Sequence, residues 1–143
     1  AYTGQKQQEG VAYRFHPTLE TLAAASDFLI IACPGGPETH HLIDSEILTQ
    51  LGPEGTLINI SRGSVVDEAA LIRALEKGQI KGVGLDVFEN EPHVPRELRD
   101  LPNAILLPHV GSATIETRQA MADLCLRNLD AHFSGQNLIT PIY

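Results

Sequence analysis

Basic residues are scarce: 10 Lys and Arg stand against 18 Asp and Glu in 143 residues, a formal charge of −8. With no basic stripe, neither nucleic acid nor a polyanionic membrane surface is an expected partner. Cysteine is nearly absent. Cys33 and Cys125 lie far apart, with neither CxxC nor paired Cys/His spacing, so they read as buried, reduced thiols and no metal centre is expected. No run reaches the apolar length of a membrane span, and the N-terminus shows no basic-then-apolar leader, which makes a cytoplasmic location the expectation. Internal repeats and low-complexity stretches are also missing.

What is present is an apolar fraction of 43%, enough for the core of one ordinary domain. Short runs rich in Ile, Leu and Val, bounded by Gly, Pro or Asn, predict strands buried on both faces of a parallel sheet. Three of them end in polar signals. TLINI is followed by Ser61-Arg62-Gly63, IKGVGL by DVFENEP over 86–92, and AILL by Pro108-His109-Val110-Gly111. In open α/β sheets ligands bind beyond the carboxyl ends of strands, so an Arg, a Glu and a His delivered there predict a site.

Between these strands the caps are legible. Thr18 precedes the helix LETLAAAS, Asp44 precedes SEILTQL before Gly52-Pro53 stops it, and Asp67 precedes EAALIRALEKG, ended by Gly78. Residues 93–103 read as a charged surface connection with at most one helical turn at RELRD. From Thr114 to Phe133, apolar Ile115, Met121, Leu124, Leu126 and Leu129 predict a long helix closed by Gly135. His40 and His41 are adjacent, so on a helix or loop their rings should diverge, and both are expected to be solvated.

LINISRGSVVDEAALIRALEKGQIKGVGLDVFENEP followed by LPHVGSAT resembles the nucleotide-binding domain of the D-isomer-specific 2-hydroxyacid dehydrogenases, most closely their glyoxylate/hydroxypyruvate reductase branch. The resemblance implies a partial Rossmann-like, doubly wound parallel α/β sheet that lacks the first strand and the glycine-rich turn. Ala1-Tyr2-Thr3 reads as the end of the second strand and the chain as a fragment, inert when isolated. It implies a partial NAD(P)-binding domain over 1–113, then a long helix and a C-terminal segment over 114–143 that returns to a mostly absent substrate domain. A homodimer is the expected assembly.

The family pattern assigns the chemistry to Arg62, Glu91 and His109. A guanidinium fork can hold a 2-oxo acid through its carboxylate and carbonyl oxygens, and a carboxylate partner keeps an imidazole protonated to higher pH. Asp86 is implied to hydrogen-bond the nicotinamide carboxamide. Thr3, Gln5, Lys6, Cys33, Pro34, Thr39, Ile60, Ser61, Arg62, His109, Gly111 and Ser112 complete the implied cofactor contacts. An NAD enzyme usually carries an acid near the start of this segment that repels a 2′-phosphate, yet no acid appears before Glu9. NADP(H) is therefore the expected cofactor, with NAD(H) possible, and a small 2-oxo acid such as glyoxylate or hydroxypyruvate the expected substrate. Two alternatives stay open: a non-catalytic relative used for nucleotide sensing or protein association, and an unrelated flavodoxin-like or methyltransferase-like domain, since fold does not choose function.

Overall fold

The computed structural model describes residues 1–142 and divides into two compact units, the first ending at Pro108 and the second beginning at His109. The first unit alternates strands and helices: α1 (Leu19–Ala23), β1 (Phe28–Ile31), α2 (Ser45–Leu51), β2 (Thr56–Asn59), α3 (Glu68–Glu76), β3 (Gly82–Leu85), α4 (Arg96–Arg99) and β4 (Ala104–Leu106). All three strand pairings are parallel and the sheet order is β1-β2-β3-β4. This is the α/β, Rossmann-like arrangement that the alternating pattern predicts.

Helices α1, α2 and α3 begin where a short polar side chain can satisfy their first N–H groups. Thr18 accepts from Thr21 N, Asp44 from Glu46 and Ile47 N, and Asp67 from Ala70 N. Gly52 ends α2 at a φ of 76°, where a β-carbon would be strained. The single helical turn over RELR is also present.

The register explains the core. Leu29, Leu57 and Val83 form one cross-strand row, and Ile31, Asn59 and Leu85 form the row two residues on, on the same face. All six are buried, against Leu22 and Ala23 of α1, Ile47, Leu48 and Leu51 of α2, and Ala70, Leu71, Ala74 and Leu75 of α3.

Burial on both faces, expected for these strands, holds only for β3. Phe28 and Ile30 on β1 are 65% and 57% exposed, and Ile105 on β4 is 70% exposed. Strands that follow one another in order step in one direction across the sheet. Crossovers of a single hand then place their helices on one face and leave the other uncovered by them.

In the second unit, α5 (Ile115–Phe133) starts at Thr114, whose hydroxyl accepts from Thr117 N, as the apolar spacing predicts. Burial does not follow the spacing. Only Ala131 of this helix is buried, and Ile115, Met121, Leu126, Leu129 and Phe133 are exposed. Cys125 on the same helix is exposed too, and Cys33 is half-buried, so the expectation of two interior thiols is corrected. Asn128 ties the following segment back to the helix: its amide oxygen accepts from Ile139 and Thr140 N, and its amide nitrogen donates to Leu124 O and Thr140 Oγ1.

Leu57 lies fully buried in the middle of the core row. Leu57→Ala should destabilise the intact protein by about 2–5 kcal/mol, read as a lower urea midpoint with unchanged slope.

Candidate functional site

Parallel pairing stacks the carboxyl ends of β1, β2 and β3 side by side, so the segments that follow them share one edge of the first unit. After β1 comes Cys33-Pro34-Gly35-Gly36-Pro37, after β2 Ile60-Ser61-Arg62-Gly63, and after β3 Asp86 with the turn through Glu91. The first two segments enclose a cleft of about 380 Å³ lined by Ala32, Cys33, Pro34, Gly35, Ile60, Ser61 and Arg62. They are tied directly, since Ser61 Oγ donates to Cys33 O.

Asn59 shapes the turn that carries Arg62. It is buried, its Oδ1 accepts from Ser61 N at 3.0 Å, and its Nδ2 donates to Arg62 O at 3.0 Å. One amide therefore supplies both a donor and an acceptor to a backbone that leaves the sheet and cannot use the ladder. The Arg62 side chain is exposed, donates through Nη1 to Ser61 O at 2.7 Å, and runs close to Gly35, where a β-carbon would sit 2.6 Å from Arg62 Cγ. A β-carbon on Gly63 would land on the Phe88–Glu89 peptide itself. Glycine here lets the turn after β2 lie directly against the turn after β3.

That second turn is held by its own acid. Glu91 is exposed, and its Oε1 accepts from Phe88 N at 3.0 Å, while the Glu91–Pro92 peptide is cis. Asp86 is buried and its N–H donates to Asn59 O at 3.0 Å. Thr39 donates through Oγ1 to Pro34 O at 2.8 Å, closing the loop after β1. At the amino end, Thr3 is half-buried and Gln5 and Lys6 are exposed, beside a parallel bridge of Tyr2 to Phe15. His109, Gly111 and Ser112 belong to the second unit, where His109 takes a positive φ of 56°. The first unit thus brings together Cys33, Pro34, Ile60, Ser61 and Arg62.

Both histidines were expected to be solvated, and His41 is instead half-buried and hydrogen-bonded. Its φ of 50° turns the backbone so that its N–H donates to Ser64 O at 2.8 Å, and its Nε2 donates to Glu89 Oε1 at 2.7 Å. His40 stays exposed, with Nδ1 3.1 Å from Ser64 O, and the two rings lie 4.0 Å apart. His40, His41 and Glu89 bring one ligand-type atom each to within 4.8 Å of one another. Ligands of a tetrahedral ion bonded at 2.0–2.2 Å would stand roughly 3.3 Å or more apart. The His41–Glu89 pair is closer than that and shares a proton.

Glu68, at the start of α3, was another residue the sequence did not mark. It is buried, and its Oε1 accepts from Glu89 N at 3.2 Å. Burial pushes its carboxyl above the usual range; the Glu89 N–H opposes that shift, and the Glu89 charge adds to it. Asn59 could have been found as the one amide inside an apolar strand. For Glu68 and the His41–Glu89 pair the partners lie 21 and 48 residues apart, and no local pattern connects them.

With this geometry in place, the comparisons identify the class. The family model for the D-isomer specific 2-hydroxyacid dehydrogenase NAD binding domain matches residues 1–111, and the chain belongs to that family. Within it, the chain is 53% identical over 141 residues to a glyoxylate/hydroxypyruvate reductase A of Arabidopsis thaliana, covering 99% of this chain and 45% of that protein. It is 50% identical over 147 residues to a glyoxylate/hydroxypyruvate reductase B of Pectobacterium carotovorum, covering 98% and 46%. An NADPH-dependent glyoxylate/hydroxypyruvate reductase from Sinorhizobium meliloti, solved with NADP and malonate, superposes with a TM-score of 0.97 at 51% identity, over 99% of this chain and 44% of that one. The chain therefore spans less than half the length of the relatives it matches. No helix among the described residues is long and apolar enough to cross a membrane.

Two outcomes follow from these contacts. Asn59→Ala strands Ser61 N–H and leaves Arg62 C=O with Val65 N–H as its remaining donor, and should lower stability by about 1–3 kcal/mol in denaturant titrations. For Glu68 the sign is set by its raised pKa. The stability it contributes is complete below the unfolded carboxylate range, near ~4.3, and is lost as pH rises through the higher folded value. Glu68→Gln keeps an acceptor for Glu89 N and removes the charge, so it should flatten that fall and leave the protein more stable than wild type at pH 7. Urea midpoints at pH 4 and pH 7 measure it, and an equal or steeper fall in the variant would contradict it.

Proposed function

We propose that the intact protein transfers a hydride between a nicotinamide dinucleotide and a small 2-oxo or 2-hydroxy acid, with glyoxylate or hydroxypyruvate as substrate. The observation that carries this reading is the edge after β1 and β2, where the Cys33–Gly35 loop and the Arg62 turn flank a cleft in a chain of this family. The relatives named above are reductases of such acids, and one was solved with NADP.

In this reading the dinucleotide supplies the hydride at its nicotinamide ring, and the protein supplies orientation, a cation and a proton. Thr3, Gln5 and Lys6 receive the adenosine side, and the cation of Lys6 with no acid before Glu9 favours NADPH over NADH. Cys33, Pro34, Thr39, Ile60, Ser61, Asp86, Gly111 and Ser112 line the rest of the cofactor. Asp86 orients the carboxamide and so selects the face of the ring. Arg62 binds the substrate carboxylate and stabilises charge growing on the carbonyl oxygen. His109 donates the proton to that oxygen, or accepts it in the oxidative direction, and Glu91 steadies the imidazolium. Residues 1–113 act as the nucleotide-binding part, and 114–143 lead back to a substrate domain. The working form is a cytoplasmic homodimer.

The test is steady-state reduction of glyoxylate and hydroxypyruvate by the intact protein with NADPH and with NADH. His109→Ala should lower kcat by roughly 10²–10⁴-fold. Arg62→Ala should raise KM and lower kcat/KM by a further separable factor. Near-normal turnover in His109→Ala would remove His109 from the chemistry. An intact protein inert toward both acids would favour the nucleotide-sensing reading.

A further inference from the structure

We propose that His41 is a positioning residue for Glu91, acting through Glu89 to hold the turn at the end of β3. The proposal rests on the reading above, in which Glu91 steadies the proton donor. His41 touches neither substrate nor cofactor in it.

The turn begins with Phe88 and Glu89, whose peptide lies against Gly63. Three hydrogen bonds then determine where its side chains point. Glu91 Oε1 accepts from Phe88 N at 3.0 Å, so the Glu91 carboxylate goes wherever the Phe88 amide goes. Glu68 Oε1 accepts from Glu89 N at 3.2 Å, which anchors the next amide to the start of α3. The Glu89 carboxylate meets the His41 imidazole at 2.7 Å, with side-chain exposures of 27% and 38%. A pair so placed is shielded more than a surface pair, and its loss costs correspondingly more.

Glu68 and Glu89 are both acids, and the negative charge of Glu89 acts on the buried Glu68. Without His41 the Glu89 carboxylate loses the hydrogen bond that fixes it to the neighbouring segment, and the Phe88–Glu89 peptide is held only by Glu68 and Glu91. His41 faces Glu89 and holds its carboxylate by a hydrogen bond, while His40, 4.0 Å from the His41 ring, is the other titratable neighbour. The backbone commits to the contact. His41 adopts a φ of 50°, uncommon outside glycine, and its N–H is bonded to Ser64 O. Ile43 N bonds Val65 O and Asp67 N bonds Ile43 O, so the segment carrying His41 is stitched to the chain leading into α3. His41 from one segment, and Gly63 and Glu68 from the segment hydrogen-bonded to it, thus brace the turn together.

The experiment uses the intact protein and the variants His41→Ala, His41→Gln, Glu89→Gln and His41→Ala/Glu89→Gln. It reads NADPH-dependent hydroxypyruvate reduction and amide hydrogen exchange over residues 86–92. His41→Ala should exchange faster over that segment and lower kcat by roughly five- to tenfold with KM for the acid within about twofold. His41→Gln keeps an N–H donor for Glu89 and should recover most of the loss. The double variant should be no slower than His41→Ala, because the contact between the two side chains is already lost in the single variant. An unchanged kcat in His41→Ala, or a loss that Gln does not recover and that follows the melting temperature, would overturn the role. If the unmodified protein reduces nothing, or Glu91→Gln turns over like wild type, the parent reading fails. That failure is distinguishable because the exchange rates still report whether the brace exists.

Discussion

The turn after β2 lies against the turn after β3 with no room for a single β-carbon between them, and most of the site geometry depends on that approach. Gly63 permits it and Asn59 makes it stable, because its amide satisfies the backbone at Ser61 and Arg62 where the sheet ladder can no longer do so. A larger residue at position 63 would force the two strand ends apart. Asn59 is tolerable in a core row because donor and acceptor are both used; an apolar residue there would leave the buried Ser61 N–H unpaired.

Charge is handled in the same economical way. A buried acid at the start of α3 is an unusual choice, since desolvation disfavours its ionised form. Two features reduce the penalty: the helix amino end favours negative charge, and the Glu89 N–H donates to the carboxylate. The Glu89 carboxylate is in turn hydrogen-bonded by an imidazole from another segment. Glu68, Glu89 and His41 therefore function as one group that joins three loops of the first unit, although each is unremarkable in its own stretch of sequence.

Two expectations about burial were corrected for a shared physical reason. Apolar spacing reports which side of an element avoids water, but not whether something within this chain covers that side. Ile30, Ile105 and the stripe on α5 all obey the spacing and remain exposed, and Cys125 is exposed with them. Helix existence and starts were read correctly because they depend on neighbours within a few residues: Thr18, Asp44, Asp67 and Thr114 each bond an amide two or three positions ahead. The strands were read correctly in place but one to two residues long, since pairing with a neighbouring strand decides where the ladder stops.

By itself, then, the sequence determined the alternation of strands and capped helices, the parallel α/β class and the family, because each follows from local chemistry or from motifs written contiguously. It also marked Arg62, Glu91 and His109 as the residues to watch. Only the tertiary structure decided that Glu91 folds onto the Phe88 amide, that Gly63 packs on the next turn, and that His41 reaches Glu89 across 48 residues. These are contacts between segments whose separation in the chain carries no periodic signal; they exist because parallel strand pairing sets the loops of the first unit side by side.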